Sequence, residues 1–180
     1  MHYYTSLVNK IPVGVLGASG YAGRELCALI HRHQRLQLVF ATANEQRGTT
    51  VRLGGREVAY VATDDAPLSS AALVFSALPH GASQQWVQAA RGAGARVVDL
   101  SSDLRPGSGC EGAAYGLTEL ARVHVKTAEI VANPGCYPTG VLLSLAPLLS
   151  AGVVDRSQPV FIDAASGVTG AGRSVKRDLL

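Results

Sequence analysis

The chain has 180 residues and a net charge of +3, and it is 47% hydrophobic and 16% charged. That balance excludes a disordered polymer and supplies a filled core. The basic residues are scattered and locally dense only at Arg173–Arg177, which excludes the concentrated stripe of a nucleic-acid binder. Twenty glycines without a period exclude a collagen-like chain and point to many tight turns.

Taken in order, Val13–Leu16 is a short apolar run ending at Gly17 and reads as a buried strand. Residues 21–32 place Tyr21, Leu26, Leu29 and Ile30 at helical spacing, with Arg24 and Glu25 outward. Gln37–Ala43 predicts a second strand, followed by a polar stretch over Asn44–Thr50. Ala71–Leu78 predicts a third strand, residues 81–91 a helix, Arg96–Leu100 a fourth strand and Glu129–Ala132 a fifth. Ser101–Lys126 is rich in Gly, Pro and Ser and reads as a long functional or mobile loop. Tyr137–Leu149 predicts a helix with Pro138 in its first turn and Pro147 near its end. Gln158–Ala164 predicts a further strand.

Non-alternating strands separated by helices imply a doubly wound parallel sheet, a Rossmann-like α/β domain. We expect that domain over 1–137. Residues 138–180 read as the first portion of a second domain that stops short. No apolar run approaches the ~20 residues that span a bilayer. The start, MHYYTSLVNK, has the layout of neither a secretory signal nor a transit peptide. A cytoplasmic protein with no membrane partner is therefore expected. Cys27, Cys110 and Cys136 make neither a disulfide framework nor a zinc spacing, so no metal is expected.

Several segments carry chemistry. Gly17-Ala18-Ser19-Gly20-Tyr21-Ala22-Gly23 follows a strand and opens a helix, the context of a dinucleotide loop. Its glycines permit a sharp turn and close backbone approach, and free helix N–H groups meet a pyrophosphate. The bland alternative is a turn that only packs helix on strand. An acidic residue at the end of the second strand would bond the ribose 2′-OH of NAD. Here that strand ends in Thr42, with Glu45 beyond it and then Arg47, a pair of groups that favours the 2′-phosphate of NADP(H). Cys136, after Asn133-Pro134-Gly135, sits where a strand gives way to a helix, and a helix N-terminus favours a thiolate nucleophile. A lone cysteine is more often a buried structural residue, but the preceding turn argues for exposure. Asp99-Leu100-Ser101-Ser102-Asp103-Leu104-Arg105 ends a strand with hydroxyls and an arginine able to hold an oxyanion. Leu78 and Pro79, at another strand end, would line the cofactor, and the glycine-rich 165–173 could approach it by backbone.

GASGYAG (17–23), ALPHG (77–81), VVDLSSDLR (97–105), YGLTEL (115–120), ANPGCYPTG (132–140) and ASGVTGAGR (165–173) together resemble the N-acetyl-γ-glutamyl-phosphate reductases, relatives of aspartate-semialdehyde dehydrogenase. The resemblance implies an NADPH-dependent reduction of an acyl phosphate to a semialdehyde in arginine biosynthesis. It implies Cys136 as the nucleophile that forms a thioester. Arg105 matches the position associated with the substrate phosphate, and Ser102 and Asn133, in the matching motifs, are expected to bind substrate with it. Residues 138–180 would open the family's α+β catalytic and dimerisation domain. Gly17, Ser19, Gly20, Tyr21, Ala22 and Gly23 match the cofactor loop. Ser166 and Gly167 match a loop beside the nicotinamide. Relatives are longer and carry an acid/base histidine that neither His80 nor His124 matches. The expectation is thus a fragment with little or no turnover, from a family whose full-length members are homo-oligomeric. Two other readings stay open: a reductase of a related acyl phosphate (aspartyl or carrier-linked), and a non-catalytic NADP-binding module.

Overall fold

The computed structural model describes residues 9–109 and 112–172. Strand β1 (Ile11–Leu16) leads through a glycine turn into helix α1 (Tyr21–Arg32) and strand β2 (Leu36–Thr42). A hairpin follows, β3 (Thr50–Leu53) and β4 (Arg56–Val61). Then come β5 (Leu73–Ser76), α2 (Gln84–Gly92), β6 (Arg96–Asp99), β7 (Ala114–Tyr115), α3 (Thr118–Thr127), β8 (Ile130–Ala132) and α4 (Cys136–Ser150). The strands form one sheet in the order β3-β4-β2-β1-β5-β6-β8-β7. Every neighbouring pair is parallel except β3 with β4. The expected doubly wound α/β architecture is present.

The central strand explains the two-layer core. Val13 and Val15 alternate with Gly14 and Leu16, so β1 presents apolar atoms to both faces. On one face Val13 and Val15 pack with Cys27 and Ile30 of α1 and with Tyr60 of β4. On the other Leu16 packs with Phe40, Val74, Val97 and with Val87 and Ala90 of α2. Each fully buried valine contributes about 1.5–3 kcal/mol of transfer free energy. Gly14 is required here: a Cβ at that position would lie 2.1 Å from the Phe40 ring.

The structure departs from the sequence reading at three places. The hairpin at 50–61 went unread, although TVRL-GG-REVAYV carries its own signal. Gly54 and Gly55 both take positive φ, +56° and +84°, as the two-residue turn demands. The long segment 101–126 is not all loop, because β7 and α3 lie in it. Helix α3 buries none of its residues. Finally, Gln158–Ala164 is not a strand. No described strand pairs with it, and Phe161 is 91% exposed. Helix α4 extends three residues past Pro147 and, though apolar along its length, has no buried residue.

Candidate active site

In an open parallel sheet, ligands sit beyond the carboxyl ends of the strands where the winding reverses. Here the reversal lies between β1 and β5. The loops that follow β1, β5, β6 and β8 stand side by side at that edge, because these four strands are consecutive neighbours. They carry most of the residues singled out from sequence.

The loop after β1 is held from below. Gly17 adopts φ +73°, and its N–H donates to Thr42 Oγ1 at 3.1 Å. The Ala18 N–H donates to the Thr42 carbonyl at 2.7 Å. Thr42 is fully buried, and its hydroxyl also accepts from Thr63 Oγ1 at 3.1 Å. It therefore supports the loop rather than offering itself to a ligand, which corrects the expectation that it would touch a 2′-phosphate. The Tyr60 hydroxyl donates to the Ala18 carbonyl at 3.2 Å. This second support lies in the unread hairpin. Beyond the loop, α1 begins at Gly20 with no side-chain cap and no acidic residue in its first turn. A Cβ at Gly20 would meet only Gly17 O, at an ordinary contact distance of 3.6 Å. Tyr21 and Ala22 are exposed beside it. Open backbone amides at an uncapped helix start fit a pyrophosphate. A Cβ at Gly17 would lie 2.6 Å from Ala77 O, so this loop touches the one after β5 that carries Leu78 and Pro79. Arg47 is exposed on the loop after β2, its Nη1 donating to Asn44 O at 3.2 Å.

Arg105 and Cys136 are brought together by the loops after β6 and β8. Arg105 Nε donates to Asn133 O at 3.0 Å and Nη2 to Leu100 O at 2.9 Å. Its Nη1 faces the turn before α4: a Cβ at Gly135 would come within 3.1 Å of it. Asn133 is tied to the neighbouring strand through its N–H, which donates to Asp99 O at 2.7 Å. Cys136, the first residue of α4, is exposed. The expectation that the Asn-Pro-Gly turn would present this thiol to solvent is met. An open groove of about 590 Å³ is lined by Ser102, Asp103 and Arg105 together with Gly81 and Gln84.

Beneath these loops lies a network that sequence reasoning missed. Asp99 is fully buried, and its Oδ1 accepts from Ser83 Oγ at 2.5 Å while its Oδ2 accepts from Ser101 Oγ at 2.6 Å. Ser83 and Ser76 share a further hydrogen bond of 2.5 Å. The only hint in the sequence was an aspartate ending an apolar strand. Ser166 and Gly167 stand on the exposed segment after α4. Their described hydrogen bonds are local and do not join them to the four loops. Among the described residues no His, Cys, Asp or Glu group could hold a metal, and no helix is long and apolar enough to cross a membrane.

The two described cysteines differ in chemistry. Burial pushes the Cys27 thiol up to about 12, so it is neutral and shielded at ordinary pH. Cys110 lies outside the described residues. Iodoacetamide at neutral pH should label Cys136 and leave Cys27 at least ~100-fold slower. Peptide mapping over time checks this, and equal labelling of the two would contradict the burial of Cys27.

Residues 12–128 match the family model "Semialdehyde dehydrogenase, NAD binding domain", and residues 136–180 match "Semialdehyde dehydrogenase, dimerisation domain". The chain belongs to the semialdehyde dehydrogenase family. Within that family, the resemblance drawn from the motifs is sustained. An N-acetyl-gamma-glutamyl-phosphate reductase from Salinispora arenicola is 44% identical over 188 residues, covering 94% of this chain and 56% of the relative. One from Rhodospirillum rubrum is 40% identical over 198 residues, covering 96% and 56%. The chain thus spans about half the length of the curated relatives it matches. An aspartate semialdehyde dehydrogenase II from Vibrio cholerae superimposes with a TM-score of 0.68 at 23% identity, over 79% of this chain and 47% of that one. That likeness establishes the semialdehyde dehydrogenase fold.

Proposed function

We propose that this chain carries the nucleotide-binding and acyl-accepting machinery of an NADPH-dependent N-acetyl-γ-glutamyl-phosphate reductase. The observation that carries the reading is the Arg105 guanidinium set against the Asn133–Gly135 turn, whose next residue is the exposed Cys136. A cation beside a nucleophile suits a substrate that bears an oxyanion on its leaving group. Under this reading Cys136 Sγ attacks the acyl carbon, a C–S bond forms, and the acyl C–O bond to phosphate breaks. Arg105 receives the departing phosphate through Nη1, while its Nε and Nη2 keep the side chain in place. Ser102 and Asn133 stand on the two loops that frame this position. Residues 17–23, with Leu78 and Pro79, would hold the nucleotide, and Ser166 and Gly167 would complete its site. NADPH held there would supply a hydride to the acyl carbon, and scission of the C–S bond would return the Cys136 thiolate and release N-acetylglutamate semialdehyde.

The reading is tested without nucleotide. Mixed with N-acetyl-γ-glutamyl phosphate, the protein should release about one phosphate per chain and gain the acyl mass on the Cys136 peptide. Phosphate appearing only at the spontaneous rate, with no adduct, sinks it. Aspartyl phosphate run in parallel tests the substrate assignment.

For the cofactor, Arg47 is the group proposed to meet a 2′-phosphate. NADPH should bind about tenfold more tightly than NADH, and Arg47→Ala should remove most of that preference while leaving NADH unchanged. Fluorescence titration of both nucleotides decides it. Equal affinities in the parent protein would refute NADP selectivity. The proposed division is nucleotide-binding domain to residue 137 and catalytic and dimerisation domain from 138. Self-association through the latter is supported by α4, an apolar helix with no buried residue. The proposed setting is the cytoplasm.

A further inference from the structure

The loops after β5 and β6 are stitched together at three points that the proposed chemistry does not use. Asp103 Oδ1 accepts from the Gly81 N–H at 2.7 Å, and Oδ2 accepts from the Ser83 N–H at 2.9 Å. His80 Nδ1 accepts from the Ser102 N–H at 2.9 Å, so its neutral ring carries the proton on Nε2. One carboxylate therefore spans two amides at the start of α2, and one imidazole takes a third bond from the facing loop. Partial burial works against charge on Asp103, but the amides of Gly81, Ser83 and Gln84 and the Ser101 hydroxyl outweigh it and lower its titration below the usual range.

What this clamp holds is the root of Arg105. The turn is fixed at Ser101 by Asp99, at Asp103 by the clamp and at Leu104 by burial in the core. Arg105 leaves it directly, its N–H donating to Ser102 O at 3.2 Å. A guanidinium that must meet an oxyanion and two carbonyls at once tolerates little movement of its Cα. We infer that Asp103 and His80 are positioning residues that hold Arg105 in its oxyanion-binding pose by clamping the turn after β6 onto the loop after β5. The inference rests on the reading of Arg105 as the oxyanion ligand.

The test uses inorganic phosphate as the probe and alkylation of Cys136 as the reporter, read by peptide mapping. Phosphate bound at Arg105 should slow labelling of the parent protein, and Arg105→Ala should abolish that protection. Asp103→Asn puts an NH2 group against one backbone donor and removes the charge. It should raise the half-protecting phosphate concentration about tenfold, and His80→Ala about threefold. Labelling rates without phosphate should stay within about twofold of the parent. A role confined to capping α2 would lower the melting temperature and leave the half-protecting concentration unmoved. Protection lost in Arg105→Ala but unchanged in both clamp variants overturns the inference alone. No protection in the parent, or protection that survives Arg105→Ala, overturns the Arg105 reading and the inference with it. A shift in Asp103→Asn alone removes His80 from the clamp. If Asp103→Asn does not fold, Asp103→Glu, which keeps the charge and moves the carboxylate by one methylene, takes its place, and an unmoved half-protecting concentration in it and in His80→Ala overturns the inference.

Discussion

Cys136→Ser should reduce single-turnover phosphate release from N-acetyl-γ-glutamyl phosphate by about 10³-fold or more, and should abolish the acyl adduct. The substitution keeps the size of the side chain and its place at the first residue of α4. Arg105, with its bonds to Asn133 O and Leu100 O, is untouched, so the oxyanion site stays assembled. What is lost is the nucleophile, since a serine hydroxyl is a far weaker one than a thiolate. The position is exposed, and stability should change by less than about 0.5 kcal/mol. Rapid-quench phosphate assay with mass spectrometry of the peptide measures both effects. Release at the parent rate from the serine variant would remove Cys136 from the mechanism.

The second large effect is expected at Gly23. A Cβ there would lie 2.4 Å from Gly17 O and 2.7 Å from Ala18 Cα. Both are backbone atoms of the loop proposed to hold the pyrophosphate, and neither can swing aside. Gly23→Ala must push α1 away from that loop, at about 1–3 kcal/mol of stability. The displaced loop would also lose its bonds to Thr42, and NADPH affinity should fall by at least tenfold. Thermal unfolding and nucleotide titration report the two losses. An unchanged affinity would mean that the glycine run serves only to pack helix on strand. Gly20→Ala is the contrasting case, since a Cβ there meets only Gly17 O at 3.6 Å, an ordinary contact, and little stability should be lost.

Legibility from sequence followed burial. Helix α1 was read with its bounds intact because its apolar spacing faces a core strand, with Cys27 and Ile30 buried. Strands β1, β2, β5 and β6 were found because apolar runs bounded by Gly or polar residues have few other uses. Helix α3, which buries none of its residues, escaped because it lies in a stretch whose Gly, Pro and Ser content reads as loop. The apolar run at 158–164 misled for the converse reason. A strand needs a partner for its backbone, and none of the described strands pairs with it.

The same distinction holds at the site. Residue types alone were enough to assign the doubly wound fold, to pick out the glycine loop and Cys136, and to name the family they resemble, because each depends on local chemistry at short spacing. Other features came only from the folded chain. Thr42 turned from candidate ligand into buried prop, Tyr60 became a loop support, and Asp99, Asp103 and His80 emerged as the frame behind Arg105. These roles come from hydrogen bonds between segments 16 to 42 residues apart, apart from the short-range ones of Asp99. The parallel crossovers decide which loops become neighbours, and no local pattern in the chain encodes that adjacency.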